Sequence, residues 1–337
     1  MSKVRLLVHL GPMKTGTSSF AAHLSRRATA GTLPAHIIYP ADDLWFPARG
    51  GIVKHHDLVE IAPAKIKVRG ERRRTTDVTP ESLRNRFALI SQTARDRGKD
   101  TLVVMVCEIA DQRATPELGK ILSEYFDSVD FVIVAREQVS AVRSLLGQQI
   151  RMWNRKNVAS LESRDFVTQH FGRGSYDYSR LWQKWMTTSA EYRVHFVPYR
   201  NGEGADDLSQ DIFSAVGFGE FPHSPDLLNG ERIHSSFSTS RMADLARIKR
   251  WANSMSVVPG GLALGKWLFD LTLRRAHSQI AQSRGGRFET WKLTVSEQEF
   301  IRSAYRESNL EFKRQLGATA NEPRWRSWFD LTLGTSA

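Results

Sequence analysis

The residues with the clearest chemistry lie close to the N-terminus. Gly11-Pro12-Met13-Lys14-Thr15-Gly16-Thr17-Ser18-Ser19 follows the apolar run Val4–Leu10 and leads into a helical pattern that starts near Thr17. A glycine-containing turn between a strand and a helix leaves backbone N–H groups pointing outward, and the helix dipole adds partial positive charge there. Such a turn binds phosphate. Lys14 adds a full charge, and the hydroxyls of Thr15, Thr17 and Ser18 add donors. A nucleoside-triphosphatase loop requires Gly, four residues, Gly, Lys and then Ser or Thr. Here Lys14 stands two residues before Gly16, and Thr17 occupies the lysine's place, so that pattern fails by spacing.

Arg136 ends the apolar run 131–135, and Ser144 follows eight residues later, sharing the polar face of a helix with Ser140 and Arg143, opposite Leu146 and Ile150. An arginine at the C-terminal end of a strand faces the ligand crevice of an open sheet. Its planar fork suits a phosphate dianion. Glu108 ends the run 101–107 in the same way and is the first choice for a general base. His55-His56 follow a glycine-containing loop, and an imidazole with a reference pKa near 6.5 also suits that task. Whether Glu108, His55 or His56 takes the proton stays open at this level.

Lys14-Thr15-Gly16-Thr17-Ser18 resembles the 5′-phosphosulfate loop of sulfotransferases that use 3′-phosphoadenosine 5′-phosphosulfate (PAPS), and Arg136 with Ser144 resembles that family's 3′-phosphate pair. Glu137 and Gln138 stand where the family usually has Asp or Asn and then Pro. Tyr176-Asp177-Tyr178, Val197-Pro198-Tyr199 and Glu307-Ser308-Asn309 extend the resemblance, toward bacterial glycan-type members, over most of residues 4–316. The resemblance implies an α/β, P-loop-like three-layer fold with a mainly parallel central sheet. It implies in-line transfer of a sulfuryl group from PAPS, the co-substrate, to a hydroxyl of a carbohydrate, with no metal. Donor contacts would fall to Lys14, Thr15, Gly16, Thr17, Ser18, Arg136 and Ser144, and catalysis to Lys14 with Glu108 or His56. The competing readings are a P-loop nucleotide kinase or hydrolase, and a non-catalytic nucleotide-binding protein on the same fold.

These residues need a scaffold. Buried-strand candidates fall at 4–10, 36–39, 101–107, 131–135 and 194–198. Helical patterns intervene: Phe20, Leu24 and Ala28; Leu83, Phe87, Ile90 and Ala94; Val139, Val142, Leu146, Ile150 and Trp153; Tyr178, Leu181, Trp182 and Trp185. Strands alternating with helices predict a mainly parallel sheet. Residues 239–281 and 295–316 read as helix, so the expectation is a single α/β domain over 1–337 with a helical C-terminal portion at about 235–320.

The chain has 337 residues, 41% of them apolar and 25% charged, which is an ordinary globular composition. Its formal charge of +12 calls for something negative. With no nucleic-acid recognition motif, the donor is the expected anion, and the arginine run in 69–74 would suit an anionic acceptor if it lies near the crevice. One cysteine, Cys107, excludes a disulfide framework and a Cys-rich zinc site and fits a reducing, cytoplasmic location. No apolar run is long enough for a transmembrane segment, and the N-terminus reads as a strand, not a signal peptide. Trp182 and Trp185 read as core, whereas Trp153, Trp325 and Trp328 are candidates for stacking on the acceptor.

Overall fold

The computed structural model describes residues 2–12, 15–41, 47–48, 52–55, 58, 79–107, 116–151, 167, 176–186, 191–199, 205–219, 221, 239–255, 258–282 and 292–334. Its centre is a sheet of β1 (Val4–Leu10), β2 (Ile37–Ile38), β5 (Thr101–Cys107), β6 (Ser128–Ala135) and β7 (Tyr192–Pro198), in the order β2-β5-β1-β6-β7. Every pairing within it is parallel. β1 therefore lies in the middle, flanked by later strands on both sides, which is the P-loop-like arrangement. The short strands β3 (Pro47–Ala48) and β4 (Ile52–Val53) form a separate antiparallel pair.

β5 is buried at every position and β1 at all but one, so both are covered on their two faces. Helices α1 (Thr17–Thr29) and α6 (Ala205–Ala215) meet through Phe20 and Phe213. Helices α2 (Pro80–Arg95) and α3 (Pro116–Ser123) follow β4 and β5, and Phe87 of α2 packs on Tyr125 and Phe126 just beyond α3. α2 starts at a capping box in which Thr79 and Ser82 satisfy each other's backbone N–H groups.

Helices α4 (Gln138–Arg151) and α5 (Tyr178–Met186) follow β6, and after β7 come α6, α7 (Thr239–Ser254), α8 (Gly261–Gln282), α9 (Val295–Leu316) and α10 (Pro323–Leu333). Among the described residues beyond Pro198 there is no strand. The single helix expected over 239–281 is two, because Pro259-Gly260-Gly261 breaks the pattern and Gly260 adopts φ 79°. A second difference concerns the late tryptophans. Trp325 and Trp328 are buried in an aromatic cluster with Phe312 and Phe329, and the Trp328 indole donates to the Ala135 carbonyl at 3.0 Å, so neither is placed to stack on an acceptor.

Asp130, buried near the start of β6, accepts from Arg5 of β1 and from Arg193 and His195 of β7. Arg5 also donates to the Val216 carbonyl at the end of α6. Three strands and a helix are thus tied together at the end of the sheet opposite the strands' C-terminal edge.

Candidate functional site

The C-terminal edge of β1 opens into the turn that contains Thr15 and Gly16. Gly16 is the N-cap of α1 with φ 83°, a conformation that favours glycine, and a Cβ there would lie 2.4 Å from Leu208 Cδ2 and 3.1 Å from Tyr199 Cε2. Gly11 is equally constrained, since its Cβ would fall 2.6 Å from Thr17 Oγ1 and 2.7 Å from His9 Cε1. Among the described residues no side chain caps α1. The first-turn N–H groups of this helix have no helical carbonyl to meet, whereas α2 and α9 begin with complete capping boxes. The turn therefore keeps the feature that makes a helix start an anion site.

The hydroxyls divide the work differently from the sequence-based expectation. Thr15 and Thr17 are buried, Thr15 donates to the Pro12 carbonyl at 2.8 Å, and Thr17 Oγ1 lies 3.4 Å from Thr15 Oγ1. With the Thr15 proton directed at Pro12, Thr17 is the donor between them. Both hydroxyls brace the turn and leave the backbone to face a ligand. Ser18 is half-buried and accepts from Lys54 Nζ at 2.9 Å, which leaves its own proton to donate outward.

Lys54, which the sequence reading passed over, is thus a buried ammonium beside the turn. It is held there by its neighbour. His55 N–H donates to the Val106 carbonyl at 2.7 Å, His55 Nδ1 accepts from Val106 N–H at 3.0 Å, and the opposite ring nitrogen lies 2.9 Å from the Pro40 carbonyl. Nδ1 is therefore the acceptor and Nε2 the donor in a neutral imidazole. Tied through Nδ1 to the end of β5 and through Nε2 to the Pro40 carbonyl beyond β2, His55 acts as a positioning residue for Lys54. Only its place immediately after Lys54 in the chain marked that lysine in advance.

Arg136 follows β6 and is clamped through its backbone. The Tyr178 hydroxyl accepts from Arg136 N–H at 2.8 Å and donates to the Arg136 carbonyl at 2.9 Å. Burial holds the Tyr178 phenol protonated well above its ordinary range, as that donation requires. The guanidinium carbon sits 4.9 Å from the centre of the Tyr199 ring. Burial pulls the Arg136 guanidinium below its usual value; Tyr199 and Tyr176 push it back, and the positive charge of Arg143 pulls it down again. A site with two cations close enough to repel is one in which an anion is stabilised.

Glu137 and Gln138 now have roles. The Glu137 carboxylate accepts from the N–H groups of Val139 and Ser140 at 2.8 and 2.7 Å, capping α4 from the position before it. Gln138 exchanges two hydrogen bonds with Asn309 of α9 and donates to the Tyr176 carbonyl. Ser308 donates to Asp177 at 2.6 Å. The three scattered tripeptides of the sequence reading meet here: Tyr178, Tyr199 and Asn309 all bear on residues 136–138. Arg143 and Ser144 are half-buried on α4, with Ser144 about 9 Å along the helix from its start.

Lys14, His56, Glu108, the run 69–74 and Trp153 lie outside the described residues.

No family model matches the chain, and no curated protein matches it. Among solved structures it is similar to a sulfotransferase domain from the curacin biosynthetic pathway, with 13% identity and a TM-score of 0.34 over 69% of this chain and 79% of that one. An identity and score at this level assign no activity.

Proposed function

We propose that the chain is a sulfotransferase that moves a sulfuryl group from PAPS to a hydroxyl acceptor, a carbohydrate being the acceptor class. One observation carries the reading: the Tyr199 ring borders Gly16 on the turn and also supports the Arg136 guanidinium, so the two candidate anion sites lie one ring apart. That spacing fits a nucleotide bearing phosphates at both its 5′ and 3′ positions. In this reading the turn from Thr15 to Ser18 holds the 5′-phosphosulfate through backbone N–H groups, and Arg136, with Arg143 and Ser144 on α4, holds the 3′-phosphate.

The acceptor oxygen attacks sulfur and forms the new S–O bond as its proton passes to Glu108. The bond from sulfur to the 5′-phosphate oxygen breaks, and its electron pair leaves with 3′-phosphoadenosine 5′-phosphate. Lys14 and Lys54 meet the charge that grows on that oxygen and on the transferring group. Positioning and charge stabilisation supply the rate enhancement, as in phosphoryl transfer, and the reaction so written uses no metal.

Calorimetry with 3′-phosphoadenosine 5′-phosphate, against ATP with magnesium, tests the donor. The bisphosphate should bind and ATP should not compete; a preference for ATP would overturn the assignment in favour of a kinase or hydrolase. Arg136→Ala should weaken the bisphosphate roughly 30-fold while changing its 3′-dephospho analogue by only about twofold. Equal weakening would show that the guanidinium meets something other than the 3′-phosphate. Glu108→Gln should keep nucleotide affinity and lose turnover.

A further inference from the structure

The hairpin of α7 and α8 carries a surface that this chemistry does not use. From Trp251 through Gly265 the chain has no charged residue, and Arg250 and Lys266 bound that stretch. It covers the last turn of α7, the connection and the first turn of α8. Three of its large apolar side chains stand in solvent, with Trp251 38% exposed, Val258 44% and Leu264 48%, and just beyond it Trp267 is 60% exposed; Met255 and Leu262 are half-buried. Leu264, Trp267 and Leu271 fall at i, i+3 and i+7 on one stripe of α8.

Behind this uncharged tip lies a basic collar. At 1.5 Å per residue, Trp251 and Trp267 sit about 5 and 9 Å back from the inner ends of their helices, with Arg250 and Lys266 level with them and Arg247 and Arg274 further back. All four cations are exposed. Across residues 239–282, seven Lys and Arg face only Asp244 and Asp270. Both acids are already engaged, with Arg247 at 3.5 Å and Lys266 at 2.6 Å. The base of the hairpin is anchored: Lys249 is buried, donates to the Gln149 carbonyl near the end of α4 and lies 5.3 Å from the centre of the Phe269 ring.

We propose that this hairpin tip docks on an anionic phospholipid surface. Its uncharged end enters the headgroup layer, and the collar meets lipid phosphates. Tryptophan and leucine on the inserted side with Lys and Arg behind them is the pattern of a helix that lies in a membrane interface. The excess positive charge supplies selectivity for anionic lipid. A second copy of the chain fits worse, because a two-fold contact would set one basic collar against another. Among the described residues no helix is long and apolar enough to cross a membrane.

Flotation of the full chain with phosphatidylcholine vesicles, with and without phosphatidylglycerol, tests this independently of the proposed reaction. The protein should float with the anionic vesicles and at least about tenfold less with phosphatidylcholine alone, and added salt should release it. The exposed pair Leu264→Ser and Trp267→Ser should reduce anionic-vesicle binding about tenfold or more at an unchanged thermal midpoint, and Arg250→Glu with Arg274→Glu should remove the preference for anionic lipid. No flotation with either vesicle, or undiminished flotation of the serine variant, would overturn the proposal. Concentration-dependent dimerisation abolished by the same serines would assign the face to a second copy instead.

Discussion

Lys54 is the residue whose role depends most on the fold. It is 36 positions from Ser18 in the chain, yet its ammonium is buried 2.9 Å from that serine's hydroxyl because His55 is stitched to the end of β5. In the proposed reaction a cation there acts on charge that develops during transfer, so its loss should fall on turnover. Lys54→Met, which keeps the alkyl stem, is expected to lower kcat by about 100-fold while changing affinity for 3′-phosphoadenosine 5′-phosphate much less. Parallel assays of turnover, nucleotide binding and thermal midpoint check this. A large fall in the midpoint with kcat retained in the folded fraction would mean that Lys54 only packs the turn.

Among the elements, the turn before α1 makes the sharpest demand on sequence. Gly16→Ala must hold an alanine at φ 83° and displace Leu208 and the Tyr199 ring. The backbone strain alone is worth about 1–2 kcal/mol, and denaturant unfolding should show at least that loss. Nucleotide affinity should fall with it, since the displaced ring also supports Arg136. How well elements can be read from sequence follows from how local their causes are. β1 and β5 were legible at their observed bounds because both are nearly unbroken apolar runs. β6 begins three residues before the apolar run 131–135 because Asp130 interrupts the pattern, and the partners that make its burial tolerable lie on β1 and β7. The short helices α3, α6 and α10 were not expected from the sequence although α3 and α6 are clearly amphipathic, because 8 to 11 residues give a helical pattern only two or three turns in which to repeat. In the site, the turn and Arg136 could be found from spacing over a few residues. The positions of Lys54, Tyr178 and Tyr199 could not, since each contact crosses between elements far apart in the chain.

For the molecule as a whole, the network around Asp130 sets a direction for acid sensitivity. Burial by itself would raise the Asp130 pKa, but the hydrogen bonds from His195, Arg5 and Arg193 outweigh it and hold the carboxyl below 3.8. A carboxylate whose folded pKa is depressed contributes stability above its unfolded pKa and loses it as the pH falls through the folded one. The contribution should therefore persist through neutral and mildly acidic conditions and fade only below about pH 3.8. Asp130→Asn should lower the unfolding free energy by about 2 kcal/mol at pH 7, and the gap from the parent should narrow below pH 4. Urea unfolding at the two pH values reads this directly, and a gap that widens in acid would contradict it.

The Tyr199 ring has a consequence for selectivity. It is the first residue after β7, and its N–H donates to the Ala135 carbonyl at the end of β6. The approach of the turn to the Arg136 backbone is thus set by neighbouring strands, and the one rigid ring between them also bears on the Arg136 guanidinium. In the proposed reading the site works as a gauge: it measures the separation of two anionic groups and leaves the chemistry between them to whatever molecule has the right span.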